Sequence, residues 1–382
     1  MDKNQAVELM HQLLRTVKER QGSDLFITAG FPPAIKCDGQ VMPLGEKRLT
    51  GEHAALIVRS LMSDRQLREF EATKECNFAI YPQGIGRFRV SAFVQQGRVG
   101  AVLRVITTEI PTFDELELPT VLKDVVMTKR GLVLVVGATG SGKSTTLAAL
   151  IGHRNQNSRG HIITIEDPVE FMHRHAGCII TQREVGVDTE NWGAALKNTL
   201  RQAPDVILIG EIRDRETMEY AVQFAETGHL CLATLHANSS NQALERIINF
   251  FPEEKRQQLL MDLSLNLRAV VSQRLVRRAS GEGRIAAMEV MLNSPLVADL
   301  IFKGEVARIK EIMAKSKDRG MVTFDQYLFN LFETGKITQD EALRNADSQN
   351  ELRLKFKLES KRVGRAGDDD VIDRLSLVDD DR

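Results

Sequence analysis

Residues 132–150 read "LVLVVGATGSGKSTTLAAL". Five apolar residues of strand length run into a glycine-rich turn, and a helical sequence follows. Inside lies Gly137-x4-Gly142-Lys143-Ser144, the phosphate-loop pattern in strand–loop–helix context. Gly137, Gly140 and Gly142 free the backbone to turn its N–H groups toward an anion, with Ala138, Thr139 and Ser141 between them. The helix expected from Lys143 adds its positive end. Lys143 is expected to reach the β- and γ-phosphates, Ser144 to ligate Mg²⁺, and Thr145 to support the α-phosphate. The reading is a bound nucleoside triphosphate, ATP with Mg²⁺. The loop by itself leaves open whether the output is force, phosphoryl transfer or a switch.

Outward from the loop, from residue 120, helix and strand patterns alternate with short connections. That rhythm belongs to a parallel sheet covered by helices. Strands are expected at 132–137, 161–166, 178–182, 205–210 and 229–235. After about 250 the pattern is largely helical, with a short hairpin near 274–290. Before the loop, residues 1–106 read as a small α+β domain of about five strands and two helices. Its signals are a helical spacing over 4–20, an Asp38-Gly39 hairpin turn, and alternating runs at 75–81, 86–96 and 99–106. Residues 107–119 carry two prolines and four acids and read as a linker. The expected organisation is a domain at 1–106, the linker 107–119, an ATPase core at 120–290, a helical region at 291–347 and a disordered acidic tail at 348–382. Composition shifts most sharply from 360, where seven Asp occur with no aromatic residue.

Two further strands end in acids. "DVILIGEIRD" (205–214) stops at Gly210-Glu211, and "ITIEDPVEF" (163–171) stops at Glu166-Asp167. Ligands of open α/β sheets bind outside the carboxyl ends of strands. Glu211 is expected on a strand beside the loop strand, reaching the Mg²⁺ shell. The two acid-ended strands are expected to flank one Mg–ATP. Glu166 is assigned to the attacking water and Glu211 to the metal, and the reverse assignment stays open. A third strand, "GHLCLATLHANSS" (228–240), has His229 at its start and His236 at its end. Both are candidates for γ-phosphate sensing, against the plainer reading of hydrogen-bonded structural histidines.

Composition excludes other classes. The 382 residues are 42% hydrophobic and 27% charged with a net charge of −1, so bulk nucleic-acid binding has no support. Apolar runs such as 132–136 and 206–209 fall far below the roughly 20 residues of a membrane span. The N-terminal stretch reads as an amphipathic helix without a signal core. Cys37, Cys76, Cys178 and Cys231 stand isolated, so neither structural zinc nor a disulfide framework is expected.

Taken together, "GATGSGKSTT", "ITIEDPVEF", "DVILIGEIRDRET" and "GHLCLATLHANS" resemble the Walker A, Asp box, Walker B and His box of the secretion-type ATPases. The chain is similar to the pilus retraction group, PilT and PilU, over residues 1 to about 345. "VARIKEIMAKS" (306–316) departs from the PilT-type "AIRNLIR" segment, and with the acidic tail this points to the accessory PilU type. The resemblance implies a PAS-like N-terminal domain, a RecA-like P-loop domain and a hexameric cytoplasmic ring at the inner membrane. Its implied partners are an inner-membrane platform protein and a PilT-type ATPase. It also implies that arginines of the N-terminal domain reach a neighbour's phosphates, with Arg89 and Arg104 the first candidates and Arg98 next. The plainer reading of those arginines is that they blunt a strand edge. Two alternatives stay open: an ATP-binding regulatory subunit of another pilus motor, and a DNA-translocating ring. The second would want a basic channel or stacking aromatics, and aromatics are 5% of the chain.

Overall fold

The structure, a computed structural model, describes residues 1–37, 39–106, 109–316 and 320–362. The chain divides into two compact units. One holds residues 1–110 with 170–172, and the other holds 111–169 with the chain from 173 onward.

The first unit is an α+β fold. Helix α1 (Lys3–Glu19) starts at a capping box made by Asp2 and Gln5 and buries Ala6, Met10, Leu13, Leu14 and Val17 on one face. Strands β1 (Asp24–Ile27), β2 (Ala34–Cys37) and β3 (Gln40–Pro43) follow. Next come helices α2 (Gly51–Ser60) and α3 (Asp64–Thr73), then β4 (Glu75–Ile80), β5 (Arg87–Gln95) and β6 (Arg98–Ile106). The sheet order is β3-β2-β1-β6-β5-β4, with every neighbouring pair antiparallel. Against the expected five strands and two helices, the described residues of this unit form six strands and three helices; the chain after residue 50 makes two of those helices, because Ser63 caps a new one and forms a capping box with Gln66. Cys37 pairs with Gln40, so the β2–β3 connection is two residues long. Asp38 of the expected turn lies outside the described residues, and Gly39 has φ 80°.

The second unit carries the alternating pattern. Helix α4 (Val121–Met127) precedes β7 (Gly131–Val136), α5 (Lys143–Asn157), β8 (Gly160–Glu166), β9 (Cys178–Glu184), α6 (Trp192–Thr199), β10 (Val206–Ile209), α7 (Arg215–Glu226) and β11 (Leu230–Leu235). Then come α8 (Ser240–Asn249), α9 (Glu253–Asn266) and the hairpin β12 (Leu267–Arg277) and β13 (Arg284–Leu292). Helices α10 (Pro295–Phe302), α11 (Ile309–Lys315), α12 (Phe324–Glu333), α13 (Gln339–Asn345) and α14 (Gln349–Glu359) close the described chain. The sheet order is β13-β12-β7-β11-β10-β8-β9. All neighbouring pairs are parallel except β12–β13. Strands β7, β10 and β11 are buried along their whole length, as both faces of a helix-covered parallel sheet require.

Three expectations need correction. The hairpin is not a short feature near 274–290: it spans 267–292, and its first strand pairs parallel with the loop strand β7. The tail does not begin at 348. Residues 349–359 form α14, which Leu352 and Phe356 anchor in an apolar cluster with Phe329 and Phe332. Phe356 sits 5.6 Å from the Phe329 ring and 4.8 Å from Phe332. Two buried side chains four apart are enough to hold a charged helix, and composition alone hides them. The rest of the expected tail, from 363, lies outside the described residues. Finally, the second half of the expected linker is packed onto the second unit. Phe113 and Leu118 are buried in its core, and Glu117 pairs with Lys336 and Arg278. Among the described residues no helix is long and apolar enough to cross a membrane.

Candidate nucleotide site

The loop of residues 137–142 leaves the carboxyl end of β7 and enters α5 at Lys143. Gly140 and Gly142 take φ of 76° and 87°, the left-handed region that side chains avoid. Space is equally restrictive. A Cβ on Gly137 would lie 2.4 Å from Ser141 Oγ and 2.6 Å from the Gln273 carbonyl oxygen. The Lys143 ammonium donates to the Gly137 and Ala138 carbonyls at 2.9 and 3.0 Å, so it lies folded over its own loop. Ser141 Oγ is buried and has no hydrogen-bond partner among the described residues. Ala138, Thr139 and Gly140 are exposed, while Ser144 and Thr145 are half-buried in the first turn of α5. The features form an anion cradle: a positive-φ glycine loop, a lysine, an orphaned hydroxyl and the N-terminus of a 15-residue helix. A phosphate fits it.

The strand order changes the expected geometry. β11, and not β10, lies beside the loop strand, and β8 lies one strand beyond β10. Glu211 is therefore not on the strand beside the loop strand, and both acid-ended strands lie on one side of it. With neighbouring strands about 4.8 Å apart, Glu211 stands two strands and Glu166 three strands from β7. The carboxyl edge still gathers them. Gly210, just past the paired Ile209, donates its N–H to the Ile165 carbonyl at 2.7 Å, and a Cβ there would come within 3.1 Å of the Glu166 Cα. The missing side chain lets the two acid-bearing chains run close together.

Each acid is held. Glu166 Oε1 accepts from Thr164 Oγ1 at 2.6 Å and from Gln182 Nε2 at 3.4 Å. Glu211 is partly buried; Oε2 lies 2.7 Å from an Arg213 guanidinium nitrogen and Oε1 lies 2.9 Å from His236 Nε2. The bond to Glu211 holds the Arg213 guanidinium above its ordinary pKa, with Asp167 4.0 Å away adding to the effect. Asp167 joins Pro168 through a cis peptide bond. Arg201 lies exposed in a short 3₁₀ turn.

The two histidines separate. His236 follows the carboxyl end of β11 and touches Glu211. His229 precedes the amino end of the same strand, where its Nδ1 lies 3.1 Å from Thr227 Oγ1. Six strand residues at about 3.3 Å each put it roughly 20 Å from the loop edge. His229 is therefore removed from the phosphate-sensing candidates.

The candidate arginines lie in the first unit. Arg89 on β5 faces Arg104 on β6 across the ladder. Arg104 Nε donates to the buried Asp24 at 2.9 Å while its side chain stays 68% exposed. Arg98 is exposed at the start of β6, beside Gly51.

For Mg²⁺, the described residues hold no group of three or more acidic, His or Cys side chains arranged to hold a metal ion. The ion needs none, because it takes much of its shell from water and substrate phosphates. Of the two expected donors, Ser144 stands in the first turn of α5 and Glu211 just past the carboxyl end of β10.

Two contributors escaped the sequence reading. Gln273 on β12 is 3% exposed and bonds both the loop and α5. Glu289 on β13 is buried and accepts from the Ser240 backbone N–H at 2.8 Å and from Ser272 Oγ at 3.4 Å. The available signal was polarity inside otherwise apolar strands, "AVVSQRLV" and "AAMEVML".

A phosphate loop on a parallel sheet with acids along its carboxyl edge defines a P-loop ATPase of the RecA-like kind. Residues 2–349 match the type II/IV secretion system protein family, and the chain belongs to it. Type IV pilus ATPase PilU of Pseudomonas aeruginosa is 61% identical over 350 residues, 92% of each chain. PilT of the same organism, a type IV pilus retraction ATPase, is 40% identical over 88% of this chain and 97% of its own. A crystal structure of the pilus retraction motor PilT with bound ADP matches with a TM-score of 0.83 at 39% identity. It covers 89% of this chain and 98% of that one. Within the family, this is an ATPase of the pilus retraction group, of the PilU type.

Proposed function

We propose that the chain hydrolyses Mg–ATP to power or assist the retraction of type IV pili. In this reading it works as a hexameric ring at the cytoplasmic face of the inner membrane, as the accessory partner of a PilT-type ATPase. The inner-membrane pilus platform receives the motion. The observation that carries the reading is Glu211, held by His236 and Arg213 on the edge that bears the loop, in a chain 61% identical to a pilus ATPase over nearly its whole length.

Each residue then has a task. Loop amides 138–144 and the α5 N-terminus bind the phosphates. Lys143 leaves its carbonyl partners for the β- and γ-phosphates. Ser144 and Glu211 would hold Mg²⁺, directly or through water, and the ion would supply charge neutralisation at the phosphate oxygens. Glu166, the outermost acid, orients or deprotonates the attacking water, and His236 reports the γ-phosphate to Glu211. Arg89, Arg104 and Arg98 are the candidates to stabilise developing charge in a neighbouring subunit. Arg104 would first have to leave Asp24. Such a guanidinium is worth about 10³–10⁵ in rate.

Steady-state phosphate release from wild type and Glu211→Ala tests the chemistry. A fall of two orders of magnitude or more is expected, and equal rates would sink the motor reading. Deletion in a piliated cell tests the biology. Excess pili with lost surface motility is the expected result, whereas absent pili would assign extension instead.

A further inference from the structure

The mechanism above uses the loop, the acids and His236. It leaves unused a buried side chain that grips the loop from the β12 side. Gln273 stands in β12, next to β7 in the sheet. Its Nε2 donates to the Ser141 carbonyl at 2.7 Å, and its Oε1 accepts from Thr146 Oγ1 at 2.7 Å. One amide therefore ties the last residue before Gly142 to the first turn of α5. The two bonds also fix which way the amide faces, since its donor meets a carbonyl and its acceptor meets a hydroxyl.

The direction of the first bond has a consequence for the cradle. The Ser141 carbonyl and the Gly142 N–H belong to one planar trans peptide and point opposite ways. Drawing the carbonyl down onto Gln273 aims the Gly142 N–H away from β12, toward the open side of the loop. Packing is tight on the same side: a Cβ on Gly142 would sit 2.8 Å from Gln273 Nε2. The second bond holds Thr146, whose N–H closes the first helical turn onto the Gly142 carbonyl at 3.0 Å.

We infer that Gln273 is a positioning residue for the phosphate loop, fixing the Ser141–Gly142 peptide so that the Gly142 amide faces the nucleotide phosphates. The inference rests on the loop being the nucleotide site.

The test is fluorescence titration of full-length protein with a fluorescent ADP analogue, alongside steady-state ATP hydrolysis and thermal unfolding without nucleotide. Gln273→Met keeps the length and removes both bonds. Its ADP Kd and its KM for ATP are expected to rise about tenfold, one lost charge-assisted amide contact, with the nucleotide-free midpoint within about 3 °C of wild type. Gln273→Glu keeps the acceptor for Thr146 and loses the donor. At about pH 8 it is expected to bind ADP as weakly as Gln273→Met. Near pH 5.5 its deficit relative to wild type at that pH is expected to narrow, because burial favours the protonated acid, which donates again. A Gln273→Met protein that is folded and binds ADP within twofold of wild type overturns the inference. If that variant does not fold, Gln273→Glu decides: wild-type affinity at about pH 8 overturns it equally. Failure of the wild type to bind ADP at all would instead overturn the nucleotide reading of the loop.

Discussion

His236 Nε2 lies 2.9 Å from Glu211 Oε1, a contact between the ends of adjacent parallel strands. The imidazole occupies one carboxylate oxygen and Arg213 the other. Removing the ring leaves Glu211 to be pulled toward Arg213 alone. His236→Ala is expected to slow single-turnover phosphate release about 10- to 100-fold, while ADP affinity changes less than about threefold. Equal losses in both measurements would mean the histidine shapes the binding site and not the chemical step.

Gly142 carries two constraints at once, φ of 87° and a neighbour 2.8 Å from any added Cβ. Gly142→Ala is expected to lose about 1–3 kcal/mol from backbone strain, with further loss from the contact. The midpoint of unfolding should fall by roughly 2–8 °C, and fluorescent-ADP binding should be abolished at micromolar protein. Gly152, an intermediate-exposure position in α5 with open space around it, is the control. Gly152→Ala is expected to leave binding unchanged and raise the midpoint slightly.

Glu289 gives a pH prediction. Burial holds its carboxyl above the ordinary glutamate value of 4.5, outweighing the stabilising bonds from Ser240; Asp347 pushes the same way and Lys310 opposes. The folded chain therefore holds this proton more tightly than the unfolded chain. That contribution to stability is present below 4.5 and is lost as pH rises through the raised folded value. Glu289→Gln keeps an acceptor for Ser240 and carries no charge. Its unfolding midpoint is expected to exceed that of wild type by a few degrees at about pH 8, with the gap closing toward about pH 4.5. Thermal melts of both proteins across that range check the slope. A gap that widens as pH falls would contradict it.

Phe356 joins α14 to the helices before it through two ring contacts. Phe356→Ala is expected to cost about 3–5 kcal/mol of local packing. Limited proteolysis should then cut within 349–359 far sooner than in wild type, with ATP hydrolysis retained. Unchanged cleavage would show that Leu352 suffices as the anchor.

Much of the site could be read from residues in order along the chain. The phosphate loop, its helix, the buried strands and the acids that end them are local patterns: strand runs stop where charge begins, and glycines mark backbone that must turn. These are consequences of burial and backbone sterics acting over a few residues, so the one-dimensional record holds them. The place of His236, at the end of such a strand, is legible for the same reason.

The rest depended on which distant segments meet. Sequence order says nothing of β11 lying between the loop strand and β10, because the crossover helices set adjacency, and their packing is long-range. That single insertion moved Glu211 to the second strand from the loop strand and Glu166 to the third. β12 reaches the loop and its helix across 132 and 127 residues of chain, so in sequence Gln273 is one polar residue in an apolar strand, and only its two bonds reveal its place. Helix α14 looked like charged tail for the same reason, since its two anchoring side chains find their partners only in the folded unit. By itself the sequence determined that phosphate is bound and where along the chain. Tertiary structure alone decided which side chains aim the loop and how the acids are ranked around it, because those depend on contacts that have no local signature.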